Sequence, residues 1–149
     1  MSQNQVENID NIVADSEKSL RYIAAIIKQK GREILNHYTI TPPQFVALQW
    51  LHENGDMTIG ELSNKMYLAC STTTDLIDRM EKNLLVVRVK DENDRRVVRI
   101  HLLDEGARII EEVIDKRQVY LSEVLSSFTR EETVLLEKLL GKLHQEMKE

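Results

Sequence analysis

The segment from Thr58 to Leu102 decides the fold, and it reads TIGELSNKMYLACSTTTDLIDRMEKNLLVVRVKDENDRRVVRIHL. Its first residues, Thr58–Glu61, have the capping-box form and predict a short helix that ends near Met66. After a brief connection, apolar residues at helical spacing predict a second helix from Cys70 to about Asn83. A helix, a tight turn and a second helix therefore form the first half of this segment.

A β-hairpin is predicted directly after the second helix. Leu85–Lys90 and Val97–Leu102 are rich in β-branched residues, and the polar loop Asp91–Arg96 separates them. The predicted fold class is mainly α with a small β-hairpin wing, which is a winged helix-turn-helix. In this arrangement the second helix enters the major groove of DNA and the first helix braces it.

Further helices are predicted before this segment. Thr41 followed by two prolines predicts the start of one helix, and the turn signal Asn54–Asp56 ends it. A longer helix is predicted from about residue 6 to Tyr38, since apolar residues recur there at three-, four- or seven-residue steps. These residues are Val6, Ile9, Val13, Leu20, Ile23 and Ile27.

The segment after the hairpin is also predicted to be helical. Thr129, with Glu132 three residues later, predicts the start of a last helix. Its apolar stripe consists of Leu136, Leu139, Leu140, Leu143 and Met147. Such stripes at both ends of a thin monomer would lie in water, so they favour a homodimer over a self-contained monomeric bundle. We therefore expect residues 1–149 to form one chain, with a DNA-binding lobe at 41–102 flanked by N- and C-terminal dimerisation helices at 6–38 and 104–148.

Composition places the chain among water-soluble helical proteins. It has 149 residues, of which 42% are hydrophobic and 30% are charged. The net charge of −5 argues weakly against nucleic acid, but residues 59–102 hold eight Lys/Arg and seven Asp/Glu. Cys70 is the single cysteine, and no signal peptide or membrane segment is recognisable. We expect a cytoplasmic protein with no membrane partner.

The second helix of the motif carries the predicted DNA-contacting residues. Thr73, Leu76, Ile77 and Met80 fall on one face, and the face around and opposite it bears Ser71, Thr72, Thr74, Asp75 and Arg79. Hydroxyl groups and Arg bind phosphates or base edges, and a carboxylate accepts from cytosine. Two alternatives stay open. In the first, residues 71–74 serve only as a capping cluster and do not contact DNA. In the second, Asp75 and Asp78 orient Arg79 rather than accept from cytosine.

The stretch from Thr58 to Gly106 resembles the MarR family of transcriptional regulators. Thr58–Leu62 is similar to the bracing helix of the family, Ser71–Lys82 to its recognition helix, and Asp91–Arg96 to its wing signature. The flanking helices match the family's dimerisation arrangement, so the resemblance covers nearly the whole chain.

Two positions depart from the family pattern. Leu84 stands where a glycine is usual, so we expect Asn83 to end the recognition helix. Leu103 stands where Thr is frequent, so we expect Asp104 to cap the next helix.

The resemblance implies a sequence-specific regulator of transcription that binds double-stranded DNA. We expect a homodimer that acts as a repressor, with an activator as the alternative. Because a two-fold dimer presents two matched helices, we expect a pseudo-palindromic operator. The resemblance also implies that Asp94 braces the wing through an arginine, while Arg95 or Arg96 contacts the minor groove or the phosphate backbone. The alternative for this loop is a solvated charged turn.

The family commonly responds to a small aromatic or phenolic effector or to cysteine oxidation. The resemblance places Tyr22, His37, Tyr38 and Trp50 at an effector pocket, although such residues at helical spacing are more often part of the core. Cys70 opens the recognition helix, where a thiol redox sensor is one hypothesis. A small buried cysteine is the interpretation we favour.

Other classes of function find no support in the sequence. The four histidines are dispersed and no cysteine pair exists, so we expect no metal and no cofactor. Catalytic triads and phosphate-binding glycine loops are not recognisable, so we expect no enzyme. The alternative from another class is a winged-helix module for protein association without DNA binding, against which the arginines of the wing argue.

Overall fold

The computed structural model describes residues 3–148, with side chains described from residue 8 onward. Val6, the first residue of the predicted apolar stripe, therefore has no described side chain. The chain divides into two compact units, one ending at Val113 and the other beginning at Ile114. The predicted fold class is confirmed, since helices dominate and one small antiparallel sheet is present. The expected division into lobe and dimerisation helices remains a prediction.

The first unit holds the helix-turn-helix and the hairpin. In chain order its elements are α1 (Gln3–Leu35), α2 (Pro42–Asn54), β1 (Met57–Thr58), α3 (Ile59–Met66), α4 (Cys70–Lys82), β2 (Val86–Lys90), β3 (Val98–Leu102) and the first part of α5 (Asp104–Val124). The order and type of the elements agree with the sequence prediction, with β1 as an addition.

Local signals explain where the helices begin. Thr41 accepts a hydrogen bond from the backbone N–H of Gln44, whose side chain accepts from the N–H of Thr41, so a capping box opens α2. Thr58 caps α3 by accepting from the N–H of Glu61. The predicted end of α1 at Tyr38 is wrong by three residues, because hydrogen bonds of the tighter i→i−3 type replace the helical pattern after Leu35.

The sheet has three antiparallel strands in the order β1-β3-β2. In the hairpin, Val86 pairs with Leu102 and Lys90 pairs with Val98. Strand β1 is the third strand and forms the edge opposite β2, with Met57 paired to Ile100. This strand was not predicted because two residues are too few to show an alternating pattern.

The core of the first unit lies where α2, α3, α4, the sheet and the start of α5 meet. Leu48, Leu62, Ile77, Ile100 and Ile110 are fully buried there. Burial of these side chains supplies the main stabilisation and fixes the position of α4 relative to the hairpin.

Asn83 ends α4 as its C-cap, as expected, but the left-handed conformation that favours Asn there falls on the next residue. Asn83 has φ −87°, and Leu84 adopts the left-handed conformation with φ 59°. The N–H of Leu84 donates to the carbonyl of Glu81 and that of Leu85 to the carbonyl of Met80, which is a Schellman motif. Leu84 thus occupies the glycine position of this motif in a strained backbone conformation.

Leu84→Gly should increase the free energy of unfolding by about 1 kcal/mol. The left-handed conformation costs an L-residue roughly 1–2 kcal/mol, and the larger entropy of glycine in the unfolded chain offsets part of that gain. Because the Leu84 side chain is 69% exposed, little packing is lost. The control is Asn83→Gly, where φ is negative and no strain is relieved. Urea unfolding in which Leu84→Gly is no more stable than wild type would show that the position is unstrained.

The start of α5 also differs from expectation. Asp104 is the first residue of α5, and the carbonyl of Leu103 accepts the N–H of Ala107. Leu103 therefore takes the N-cap position. Asp104 places a negative charge in the first turn, where it interacts favourably with the positive end of the helix dipole.

The side chains of α1 are exposed from residue 8 to residue 29, including its apolar stripe. The exposed apolar residues of α1 are Ile9, Ile12, Val13, Leu20, Ile23, Ile26 and Ile27. Among the described residues, no helix is both long enough and apolar enough to cross a membrane.

The second unit consists of the end of α5, a single 3₁₀ turn at Leu125–Ser127 and α6 (Arg130–Met147). Thr129 and Glu132 form the predicted capping box that opens α6. Helix α6 also exposes apolar side chains, namely Val134, Leu135, Leu139, Leu140, Leu143 and Met147.

Candidate nucleic-acid interface

Helix α4 has one buried face and one polar, exposed face. Thr73, Ile77 and Met80 are fully buried, and Leu76 is half-buried. The predicted DNA-contacting residues lie on the other side, where Ser71, Thr72, Asp75 and Arg79 are exposed and Thr74 is half-buried. The core thus orients these side chains outward as one surface.

The first turn of α4 has no side-chain cap. Its N-cap is Ala69, while the hydroxyls of Thr73 and Thr74 donate back to the carbonyls of Ala69 and Cys70 at 3.1 and 2.9 Å. The interpretation of residues 71–74 as a capping cluster is therefore wrong. The backbone N–H groups of this turn remain available to an anion such as a DNA phosphate.

Cys70 is exposed, so the expectation of a small buried cysteine is wrong. As the first residue of α4, it lies at the edge of the same polar surface. Its role in redox sensing stays a prediction.

The acidic residues of α4 do not act as expected on Arg79. Asp78 accepts a hydrogen bond from Arg88 of β2, and the side chain of Arg79 has no hydrogen-bond or ion-pair partner among the described residues. The hypothesis that Asp78 orients Arg79 is therefore wrong. Asp75 is likewise unpaired among those residues, which leaves its carboxylate exposed for an external donor.

The loop between β2 and β3, the wing, is held by Asp91. Its carboxylate accepts the N–H groups of Asn93 and Asp94 at 3.0 and 2.9 Å and pairs with Arg99. The N–H of Asp91 donates to the carbonyl of Val97. The wing is therefore an organised turn, and its contact with DNA stays a prediction.

Asp94 and Arg96 form the second contact of the wing. The Asp94 carboxylate accepts the backbone N–H of Arg96 at 3.1 Å and its Nε and Nη2 at 3.1 and 3.3 Å. The Arg96 side chain is nevertheless 91% exposed. Arg95 is exposed and has no partner among the residues that the structure describes. The wing thus presents one paired and one unpaired guanidinium.

Both wing carboxylates are ionised at neutral pH. The backbone N–H groups of Asp94 and Asn93, followed by Arg99, hold the pKa of Asp91 below its usual 3.8. Arg96 holds the pKa of Asp94 below the same value. Because both pKa values are lowered on folding, this stabilisation is present above about pH 3.8 and is lost as the pH falls through the lowered values.

Sequence reasoning missed Arg88, Asp91 and Arg99 as contributors to this interface. The hairpin register carried a signal for two of them. Once Lys90 is paired with Val98, Asp91 and Arg99 are diagonal neighbours at the loop end of the hairpin. The contact of Arg88 with α4 had no such local signal.

The four residues assigned to an effector pocket lie in different surroundings. Tyr22, which is half-exposed on α1, has Lys18 and Arg21 5.9 and 5.8 Å from its ring centroid. Trp50 on α2 has Lys65 of α3 at 5.3 Å. His37 is exposed and Tyr38 is half-buried in the turns after α1. A pocket formed by these four residues stays a prediction.

Comparison with known proteins agrees with this geometry. A family model described as MarR family matches residues 40–98. The HTH-type transcriptional regulator YsmB of Bacillus subtilis (strain 168) is 76% identical over 136 residues, which are 91% of this chain and 93% of that protein.

Two solved structures are similar to the chain over most of its length. A MarR family protein from Bacillus stearothermophilus has 68% sequence identity and a TM-score of 0.89, covering 94% of this chain and 98% of that one. NadR, solved in complex with 4-hydroxyphenylacetate, has 31% identity and a TM-score of 0.67, covering 84% and 89%. With its outward-facing helix α4 and its arginine-bearing wing, the chain belongs to the MarR family of DNA-binding transcriptional regulators.

Proposed function

We propose that the chain is a homodimeric repressor that binds a pseudo-palindromic operator in double-stranded DNA. The observation that carries this proposal is the polar face of α4, with Ser71, Thr72, Asp75 and Arg79 exposed, together with the organised wing. Helix α4 reads base edges in the major groove, and the wing contacts the adjacent minor groove. A dimer on an operator blocks access to the promoter DNA beneath it, which is the physical basis of repression.

The apolar stripes support the homodimer. Val13, Leu20 and Ile27 are spaced by seven residues on one side of α1, and each is more than 40% exposed. A seven-residue spacing lets one helix pack along another. Apolar area of this extent is stable in water only when a partner covers it. A second copy of the chain offers matching stripes and the common two-fold symmetry.

The pairing of the Arg96 guanidinium with Asp94 supports its entry into the minor groove. An arginine already held in place loses less conformational entropy on binding than a mobile one. Arg96 is held by Asp94 while its side chain remains exposed, and it suits the negative potential of a narrow minor groove. We assign the unpaired Arg95 to a phosphate contact.

Release from DNA by a small aromatic or phenolic effector is part of the proposal. It is motivated by NadR, which was solved with 4-hydroxyphenylacetate. Tyr22, His37, Tyr38 and Trp50 are the candidate residues for such a ligand. A thiol redox response through the exposed Cys70 is the second candidate for regulation.

Replacing Arg96 or its partner Asp94 should weaken DNA binding, although the two changes alter charge in opposite directions. Arg96→Ala should reduce affinity for operator and scrambled DNA roughly tenfold and shrink the slope of log affinity against log salt by about 0.9. Asp94→Asn removes a negative charge, yet it should weaken binding roughly 2- to 10-fold, because Arg96 is then mobile. The measurement is fluorescence anisotropy at several salt concentrations.

Glu92→Gln is the matched control for Asp94→Asn. Glu92 is an exposed carboxylate in the same loop and has no partner among the described residues. Its neutralisation should leave affinity unchanged or slightly higher. If Asp94→Asn behaves like Glu92→Gln, Asp94 does not hold Arg96 for DNA. If Arg96→Ala and Arg95→Ala both leave affinity and slope unaltered, the wing does not bind DNA, and a protein-association module becomes the better account.

A further inference from the structure

The charge of helix α4 is unfavourable for a helix that approaches DNA. Within Cys70–Lys82, the carboxylates of Asp75, Asp78 and Glu81 outnumber the cations of Arg79 and Lys82. Asp78 is exposed and lies one turn from Asp75, on the side directed away from the core. Unpaired carboxylates at this place would repel the phosphates that approach the helix.

A single arginine from the sheet meets two of these carboxylates. Arg88 of β2 places Nη2 2.6 Å from Oδ1 of Asp78 and Nη1 2.7 Å from Oε1 of Glu81. The backbone N–H of Arg88 also donates to Oε2 of Glu81 at 3.0 Å. The planar guanidinium, with its two separate N–H edges, is suited to bridging two carboxylates in this way.

This contact is better protected from water than most surface ion pairs. The Arg88 side chain is 28% exposed, against 91% for Arg96 of the wing. Burial disfavours the charged guanidinium, but the hydrogen bonds and negative charges of Asp78 and Glu81 outweigh it and raise the pKa of Arg88. Arg88 is therefore a cation at neutral pH.

We infer that Arg88 is a positioning residue for DNA binding, which neutralises Asp78 and Glu81 and so sets the charge that α4 presents to the phosphates. The inference rests on the proposed function, since the charge of α4 affects DNA only if α4 binds DNA. With Arg88 in place, Asp75 is the carboxylate of α4 that is left to accept a base donor.

A mechanical role for the same contact has different consequences. If Arg88 serves only to tie β2 and the wing to α4, every variant that loses the contact will weaken DNA binding, whatever its charge. If Arg88 acts by neutralisation, removing the two carboxylates together with Arg88 will restore binding. The two roles are therefore separable by a rescue experiment.

The experiment compares the full-length wild type with three variants for affinity to operator and scrambled duplexes at several salt concentrations. Arg88→Met should bind both duplexes about tenfold more weakly than wild type, because two carboxylates near the phosphates lose their counter-charge. The triple variant Asp78→Asn/Glu81→Gln/Arg88→Met should return to within about twofold of wild type. Arg88→Lys keeps the positive charge but loses the two N–H edges of the guanidinium, and its affinity for both duplexes should stay within about threefold of wild type. Thermal unfolding shows whether each variant folds. If Arg88→Met does not fold, the lysine and triple variants are compared with wild type directly.

Three results would overturn the inference. Arg88→Met binding as tightly as wild type would show that the two carboxylates do not matter to DNA. A triple variant or a lysine variant as weak as Arg88→Met would show a mechanical contact instead. If the wild type binds no DNA, the proposed function fails and the inference fails with it, a case that the wild-type measurement alone identifies.

Discussion

Gly106→Ala should lower the free energy of unfolding by about 3 kcal/mol, at the upper end of what overpacking costs. A Cβ atom at Gly106 would lie 2.5 Å from the backbone oxygen of Leu85, 2.7 Å from Cδ1 of Leu102 and 3.1 Å from Cδ2 of Leu48. The two side chains have room to rotate, but the Leu85 carbonyl belongs to backbone that closes α4 and accepts the N–H of Leu103. The substitution therefore forces α5 away from the end of the recognition helix.

The loss of stability expected for Gly106→Ala is opposite in sign to the usual effect of Gly→Ala in a helix. Gly→Ala inside a helix normally stabilises by roughly 0.5–1 kcal/mol. Gly60 of α3 is the control, since a Cβ there would meet only Oγ1 of Thr58, at 3.9 Å. Urea unfolding should show Gly60→Ala at least as stable as wild type and Gly106→Ala much less stable. Equal stability of Gly106→Ala and wild type would mean that α5 does not pack as closely as the structure places it.

Leu20→Glu/Ile27→Glu should convert a dimer into a monomer and reduce operator affinity about 100-fold or more. Both residues lie on the exposed apolar stripe of α1. Two carboxylates in an apolar contact between copies would lose their hydration without gaining partners. Operator binding falls because the two recognition helices no longer bind as one unit, and avidity of this kind commonly contributes 10²- to 10⁴-fold, an order-of-magnitude range.

Light scattering measures the first effect directly. The wild type should have about twice the chain mass of 17.3 kDa, and the double variant should have the chain mass. Ala25→Glu/Gln29→Glu adds the same charges at exposed positions on the opposite side of α1 and should remain dimeric. If the wild type has the mass of a single chain at micromolar concentration, the homodimer is refuted. If Leu20→Glu/Ile27→Glu stays dimeric, the interface lies elsewhere.

The sequence was sufficient where structure depends on neighbouring residues. The caps at Thr41, Thr58 and Thr129 each involve a residue three positions away, so their pattern is visible in the chain itself. The outward face of α4 followed from helical periodicity for the same reason.

The sequence was insufficient where structure depends on distant contacts or on backbone strain. The bridge from Arg88 to Asp78 joins a strand to a helix ten residues earlier, and no periodic pattern encodes it. Propensity assigns the left-handed position at the end of α4 to Asn or Gly. The buried neighbour Leu85 and the Schellman hydrogen bonds place it at Leu84 instead. Cys70 was expected to be buried on the average behaviour of cysteine, yet its place in the first turn exposes it.

Selection of duplexes from a random DNA pool by the full-length protein tests whether the chain recognises a specific DNA sequence. Affinity is then measured for the selected duplex and for a scrambled one. We expect a pseudo-palindrome with half-sites centred about 10 base pairs apart. We also expect at least about 1,000-fold tighter binding of the selected duplex, with affinity that falls as salt rises. A pool that yields no enriched sequence, with selected and scrambled duplexes bound equally well or not at all, would contradict recognition of a specific DNA sequence.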